Sequence, residues 1–540
     1  MTLQHSSSPV QRLLRDMSRR RLTRREAFKH ASRLGLSASA FAGLLSATPT
    51  RSAAALPARQ DGTPVRGGSV RVGVAGSAGG FDPALYTTME EIYVLEHIFS
   101  SLVRTTPDME LEPDLALSWA SNETGDRWTF TLRDDVTFHD GEAFSAEDVL
   151  ATIDYNLNPA TASLFRTNIA MVDRVEATSP TEVVFHLAYP FAEFPEQLAH
   201  YQARIMPAGK MGHMATDPIG TGPYRLEDYI PGERTVLSRY DGYFDLEGQG
   251  FLNEIQYLAI PEEATKVAAL TSGGIELANE FQPTSLPPLE SAPTVTTTEI
   301  ISGSHQPIVM DVTQAPFDDA RVRAALKLCV HRDGLVAVAL QGHGVPAADQ
   351  VVPPTDPMYG DVPIPAQDLE RARQLLEEAG YPDGLDLTLH VTPGRPGIME
   401  TGLAFKDMAL GADVRVELVS HPVDVYWAEI WKHEAFLVSN WIGRPTADMM
   451  LSTVYMCGAS NTESNWCNEE FDDRIMAARA ALDPEERRGI LADAQRILSA
   501  DGPVIVPYFR SYITGYANRL QGYRAHPLRY LDLRRAWLSE

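Results

Sequence analysis

Residues Trp128–Val149 read "WTFTLRDDVTFHDGEAFSAEDV". The first part alternates apolar and polar side chains, the period of a half-buried strand. Asp140-Gly141 then supplies a turn, because glycine accepts a positive φ. Ser145 stands three residues before Asp148, a near capping box: the hydroxyl can accept an orphan amide of a helix's first turn, and the acids suit its positive end. Strand, turn and helix thus follow one another directly. His139, Asp140 and Glu142, beside Asp134 and Asp135, also hold the residue types of a metal or acid–base site. No second ligand group at metal spacing lies nearby, so the cluster reads as a turn.

The same interleaving continues outward. "GGSVRVGVAG" is a strand after glycines, and "MEEIYVLEHIFSSLVR" (Met89–Arg104) has helical apolar spacing at Ile92, Val94, Leu95, Ile98, Phe99 and Leu102. "DPIGTGPYRLEDYIPGERTVLSRYDGYF" (Asp217–Phe244) alternates strands with Gly/Pro turns. Its "GTGPY" is no phosphate loop, since no Gly-Lys-Ser/Thr follows and Pro223 removes an amide donor. "EEATKVAALTSGGIELA" reads as a helix ended by Gly273-Gly274, and "DLERARQLLEEAGY" as an amphipathic helix closed by Gly380 and followed by the strand "LDLTLHV". "EEFDDRIMAARAALDPEERRGILADAQRILSADG" is a helical hairpin broken at Asp483-Pro484, and "PVIVPYFRSYITGYA" returns to strand. The class is mixed α/β. No internal repeat and no low-complexity linker separates parts of the chain, so the lobes expected at 540 residues are interwoven.

The formal net charge is -26. Ten Lys/Arg against two acids in the first 55 residues leave the rest at -34, which makes nucleic acid and anionic lipid poor partners. That basic start contains Arg24-Arg25 in "TRREAFK", followed by the modest apolar run Leu34–Ala47 and the small residues "SAAALPA" (Ser52–Ala58). Together these predict a twin-arginine-type signal peptide over residues 1–55 and export by the Tat route to the periplasm. Cys457 and Cys467 bracket the polar loop "GASNTESNW". They form either a disulfide, which export favours, or two buried thiols. Cys329 sits in an apolar helical pattern and reads as core. Neither a Cys/His zinc spacing nor a nucleophile or metalloprotease motif occurs, so no metal, no cofactor and no enzymatic activity are expected.

Ordered blocks of this chain resemble the extracytoplasmic solute-binding proteins that feed ABC importers of peptides, nickel and related solutes. They are "LEPDLALSWA…RWTFTLRDDVTFHDGEAFSAEDVLATI", "PIGTGPYRL", "AALTSGGIELA", "PFDDARVRAALKLCVHRD", "ARQLLEEAGYPDG", "FDDRIMAARAALDPEERRGILADAQRIL" and "PVIVPYF". "YMCGAS…NWCNEEFD" is most similar to the dipeptide-binding branch, where a like Cys pair frames the same loop. The resemblance implies a two-lobed periplasmic-binding-protein fold of type II, with an extra subdomain in lobe one. Lobe one would take residues 60–300 plus 503–540, with an insert near 102–215, and lobe two 301–502. The lobes would close over the ligand by a hinge.

A zwitterionic peptide needs a cation for its carboxylate and an anion for its amine. "TPGRPGIM" places Arg395 in a Gly/Pro loop after a strand, and the resemblance gives it the carboxylate. In "FLVSNWIGRPTADMM", Trp441 fits the branch's pattern, but Arg444 stands where that pattern has Asp, and Asp448 follows four residues later. Either Asp448 meets the amine or the site lacks the anion, in which case two arginines would favour an acidic solute. Trp441 would stack on the ligand or pack between lobes. Tyr86, Thr87 and Thr88 fit the first ligand loop, or cap the helix that begins at Met89. The expected function is a monomeric binding protein that delivers a di- or oligopeptide to ABC permease subunits. The alternatives are the same scaffold carrying an acidic peptide derivative, an opine or sugar conjugate, haem or a metal chelate, and, less well supported, a secreted hydrolase.

Overall fold

Val70, Val72 and Val74 of the strand Ser69–Val74 are all buried, so this strand lies inside a sheet and not at its edge. The computed structural model describes residues 62–539 other than Thr87 and Ser460; the expected signal peptide falls outside them. Ser69–Val74 runs parallel to both of its neighbours, Leu277–Asn279 and Glu254–Ala259. The eight-stranded sheet continues through Arg234–Arg239 to Tyr224–Ile230 on one side. On the other side it passes through Tyr508–Ala517 to Val295–Ile301, with Gly344–Pro346 also paired to Tyr508–Ala517.

A second, five-stranded sheet has the order Val414–Ser420, Leu385–Val391, Phe436–Val438, Ile308–Met310, Val504–Ile505. Its first pair is parallel and in register along the whole of Leu385–Val391. A third, four-stranded sheet is antiparallel, with Ala116–Ser121, Arg127–Leu132, Glu182–Leu187 and Val172–Ser179 side by side. Each sheet has its own apolar core, centred on residues such as Leu237, Leu389 and Phe130. Residues 60–540 hold together as one compact unit.

The opening stretch folds as read. Arg127–Leu132 is a strand, and Ala146–Leu157 is a helix with Ser145 and Asp148 in a capping box. Between them Gly141 takes φ +89° and its N–H donates to the Phe138 carbonyl at 2.9 Å. The His139 ring is half-buried in the turn; its Nε2 is 3.0 Å from the Gly222 carbonyl, and the Gly220 N–H donates to Nδ1 at 3.4 Å. Burial pushes His139 down to about 4. Asp140 and Glu142 share Lys210 at 2.6 and 2.7 Å. Among the described residues no three His, Cys, Asp or Glu side chains gather as a metal-holding group.

One helix is shorter than its periodicity predicts. It covers Met89–Ile98 and not Met89–Arg104. The Gly220-Thr221-Gly222 loop explains the early stop, since the Gly222 N–H donates to the Ile98 carbonyl at 2.8 Å. A Cβ on Gly220 would lie 2.0 Å from that carbonyl oxygen. The glycines therefore serve a close backbone approach. Chain beyond Ile98 turns into the strand Val103–Thr105.

Two short segments carry the chain directly between neighbouring strands of the eight- and five-stranded sheets. Residues 301–308 link Val295–Ile301 to Ile308–Met310, and residues 505–508 link Val504–Ile505 to Tyr508–Ala517. The first is bonded to the strand that follows the second: Ser302 N–H donates to Arg510 O at 3.0 Å, and Arg510 N–H to Ser304 O at 2.8 Å. After Tyr508–Ala517 the C-terminal segment packs back on the helix Met89–Ile98. There the buried Arg534 pairs with Glu96 at 2.7 Å and Asp532 at 2.9 Å, while Arg204 pairs with Glu96 from the other side. Among the described residues no helix is long and apolar enough to cross a membrane.

Candidate functional site

A cavity of about 1150 Å³ opens where residues of the three sheet systems converge. That is slightly larger than ordinary small-molecule sites. Its wall takes residues between Tyr86 and Tyr93, between Leu164 and Gln202 and between Pro261 and Glu280, with Ala75 and Arg529. It also takes Arg395, residues between Trp427 and Asn461, and Arg479.

Arg395 sits in the turn between the strand Leu385–Val391 and the helix Ile398–Ala409. The turn is braced on both flanks: Gly394 N–H donates to Thr392 Oγ1 at 3.2 Å, and Gly397 N–H, at φ +93°, to Glu400 at 3.0 Å. Arg510 Nη1 donates to the Pro396 carbonyl at 3.2 Å, tying the turn to the crossing strand. The Arg395 side chain is exposed to the cavity and has no counter-ion among the described residues.

Arg444 lies on the loop after the strand Phe436–Val438. It is half-buried, and its Nη1 is shielded from water with no hydrogen-bond partner. Its guanidinium stands 5.7 Å from the Trp441 ring centroid. Burial, reinforced by the Arg444 charge, pushes His305 down to about 4 and His200 well below its ordinary value, so both imidazoles are neutral at neutral pH.

Trp441 itself stands behind the wall. It is 7% exposed, its backbone forms a bridge with His305, and its indole N–H donates to Glu463 at 3.1 Å. Asn440, Ile442 and Arg444 around it face the cavity instead. Glu463 also accepts the Trp431 indole and the Ser439 hydroxyl. This buried carboxylate therefore fixes the loop that carries Arg444.

Asp448 is in the wall but already engaged. Both its oxygens take the Arg479 guanidinium, at 2.8 and 2.9 Å, and Ser452 adds a hydroxyl at 3.3 Å. The chain does not leave it free for an ammonium. Thr88 lines the cavity while serving as N-cap, accepting the Glu91 N–H at 3.3 Å. Tyr86 lines it with a buried hydroxyl that has no partner. Thr87 lies outside the described residues.

Several wall residues are invisible to local motif reading. Glu280 pairs with Arg529 and accepts the Tyr93 hydroxyl at 3.0 Å. Both Glu280 and Arg529 adopt positive φ, +59° and +65°, a conformation that costs energy in non-glycine residues and concentrates at functional sites. Burial opposes the Glu280 charge, but Arg529 and Tyr93 hold its carboxyl below the usual range. Cys457 and Cys467 form a disulfide, S–S 2.08 Å, and Cys329 is a buried free thiol.

Residues 110–462 match the family model described as bacterial extracellular solute-binding proteins, family 5. The dipeptide-binding protein of Escherichia coli K12 is 26% identical over 84% of this chain and 91% of its own length. The glutathione-binding protein GsiB of Pectobacterium atrosepticum is 28% identical over 83% of this chain and 90% of its own. The solved structure of the periplasmic binding protein DppA from Helicobacter pylori, in complex with the peptide STSA, superimposes with a TM-score of 0.75 at 22% identity. That superposition covers 88% of this chain and 99% of the other.

Proposed function

Because the chain belongs to the bacterial extracellular solute-binding proteins of family 5, we propose that it captures a di- or oligopeptide outside the cytoplasm and hands it, unaltered, to the permease of an ABC importer. The observation that carries this reading is the cavity of about 1150 Å³ walled by distant parts of the chain, with the Arg395 guanidinium lining it and without a counter-ion among the described residues. A planar guanidinium fork suits a peptide's terminal carboxylate. The dipeptide- and glutathione-binding relatives support peptide cargo.

In this reading residues 60–300 and 503–540 act as one lobe, with 102–215 as its insert, and 301–502 as the other. The paired crossings at Ser302–Ser304 and Arg510 are the hinge, and a peptide touching both lobes shifts the population toward the closed form. The protein works as a monomer and catalyses no reaction. Arg24-Arg25 and the small residues Ser52–Ala58 support export of the folded chain by the Tat route and removal of residues 1–55.

Mass spectrometry of solute released from freshly purified protein tests this. A peptide is expected, and it should rebind in a calorimetric titration without being cleaved. Release of a non-peptide solute, or turnover of the peptide, would overturn the reading.

A further inference from the structure

The charges of the cavity wall constrain the cargo. Four carboxylates and five cations line it. Glu280 is held by Arg529 and Tyr93, and Asp448 by Arg479. Glu263 accepts the Gln282 N–H at 2.7 Å and the Ser285 hydroxyl, and Glu90 accepts the Gly76 N–H at 3.1 Å. Glu280 and Asp448 thus have cationic partners, while Glu263 and Glu90 each have one oxygen held by neutral donors. Of the cations, Arg529 and Arg479 are used in these pairs, and Lys266 is turned to the Asn279 carbonyl at 3.4 Å and the Phe281 ring at 5.5 Å.

Arg395 and Arg444 are left. Neither has a carboxylate within ion-pair distance among the described residues, and Arg444 Nη1 is shielded from water without an acceptor. A guanidinium nitrogen in that state carries the cost of an unmade charged hydrogen bond. An aromatic ring and two neutral imidazoles stand near Arg444. Gln306 donates to Asn440 Oδ1 at 2.8 Å, which leaves the Asn440 amide N–H groups available on the same wall. Tyr86 adds a hydroxyl without a partner. Each of these lining groups can donate a hydrogen bond to a ligand.

We infer that the cargo is an acidic peptide, whose terminal carboxylate pairs with Arg395 and whose side-chain carboxylate pairs with Arg444. The inference rests on the peptide reading of the site and goes beyond it by fixing the charge. Two bidentate pairs satisfy both forks, while a neutral peptide leaves one guanidinium unpaired on closure.

Calorimetric titration of the purified protein, freed of co-purified solute, with Ala-Glu against Ala-Gln, and with Ala-Glu-Ala against Ala-Gln-Ala, provides the test. Glu and Gln have the same shape, so the comparison isolates the charge. The acidic member of each pair is expected to bind about tenfold tighter or more, since a close charge pair lost from a desolvated site costs at least that. Arg444→Gln is expected to collapse the ratio to within about twofold. The wild-type comparison decides even if that variant fails to fold. If the amide peptides bind as tightly as the acidic ones, the charge inference falls and the peptide reading stands. If the ratio survives in Arg444→Gln, the assignment to Arg444 falls. If no peptide of either kind binds, the peptide reading falls and takes the inference with it.

Discussion

Arg395 brings its charge into the cavity on a rigid turn and finds no partner there among the described residues. Truncating it removes the fork without disturbing an existing pair. Arg395→Ala is expected to weaken peptide binding about tenfold or more in a calorimetric titration while leaving the melting temperature near that of the parent. Glu463 is the opposite kind of residue, since it touches no part of the cavity and gathers three donors behind it. Glu463→Gln puts an amide N–H where a donor already points. The expected cost is about 1–3 kcal/mol of stability in urea unfolding, together with weaker binding because the Arg444 loop loses its anchor. Arg395 is legible in a Gly/Pro loop after a strand, and Arg444 through the family pattern, whose Asp position it occupies. Glu463 reads there as an ordinary acid in a polar loop. Its partners, like the Arg529 partner of Glu280 249 residues away, are brought to it only by the tertiary fold. Asp448 is legible as a cavity residue, but its partner Arg479 lies on another helix, and that partner decides what Asp448 can do.

At the scale of elements, the loop between Cys457 and Cys467 is where covalent and non-covalent restraint meet. The disulfide closes it, Glu463 pins its middle, and the Cys457 N–H donates to Asp472 at 3.2 Å. Replacing both cysteines by serine is expected to cost roughly 2–3 kcal/mol, the chain-entropy value for so short a loop, measured by urea unfolding under oxidising conditions. Elements set by local pattern are the ones the sequence yields best. Leu385–Val391 alternates buried and less buried positions along its length, and the hairpin break at Asp483-Pro484 falls where Pro484 opens the helix Pro484–Asp501. Where sequence and structure part, at the end of the helix Met89–Ile98, the deciding contact comes from the distant glycine loop at Gly220–Gly222. No local period carries that information.

For the whole molecule, the contact between the segment around Glu193 and the helices Glu469–Ala480 and Pro484–Asp501 sets a dependence on pH. Ala192 N–H donates to the Arg479 carbonyl at 2.7 Å, and Arg487 lies 3.4 Å from Glu193. Burial pushes Asp356 and Glu196 up to about 7, and raises Glu193 well above the carboxylate range. Arg487 is the cation facing Glu193, because Arg479 is committed to Asp448. These acids keep protons in the native state that they would release when unfolded. Their contribution is therefore full below about pH 4 and is lost as pH rises through about 7. Stability is expected to fall by about 2–4 kcal/mol through Asp356 alone as pH rises from 4 to 8. Asp356→Asn should flatten that slope in urea unfolding curves at each pH.

The strand Tyr508–Ala517 has neighbours on both sides within its sheet, although it is synthesised well after both of them. Until residue 517 has left the ribosome, Leu277–Asn279 and Val295–Ile301 face an empty slot and offer unpaired amides to any passing strand. A message truncated before codon 508 should therefore yield an aggregating product, and not a weakened one.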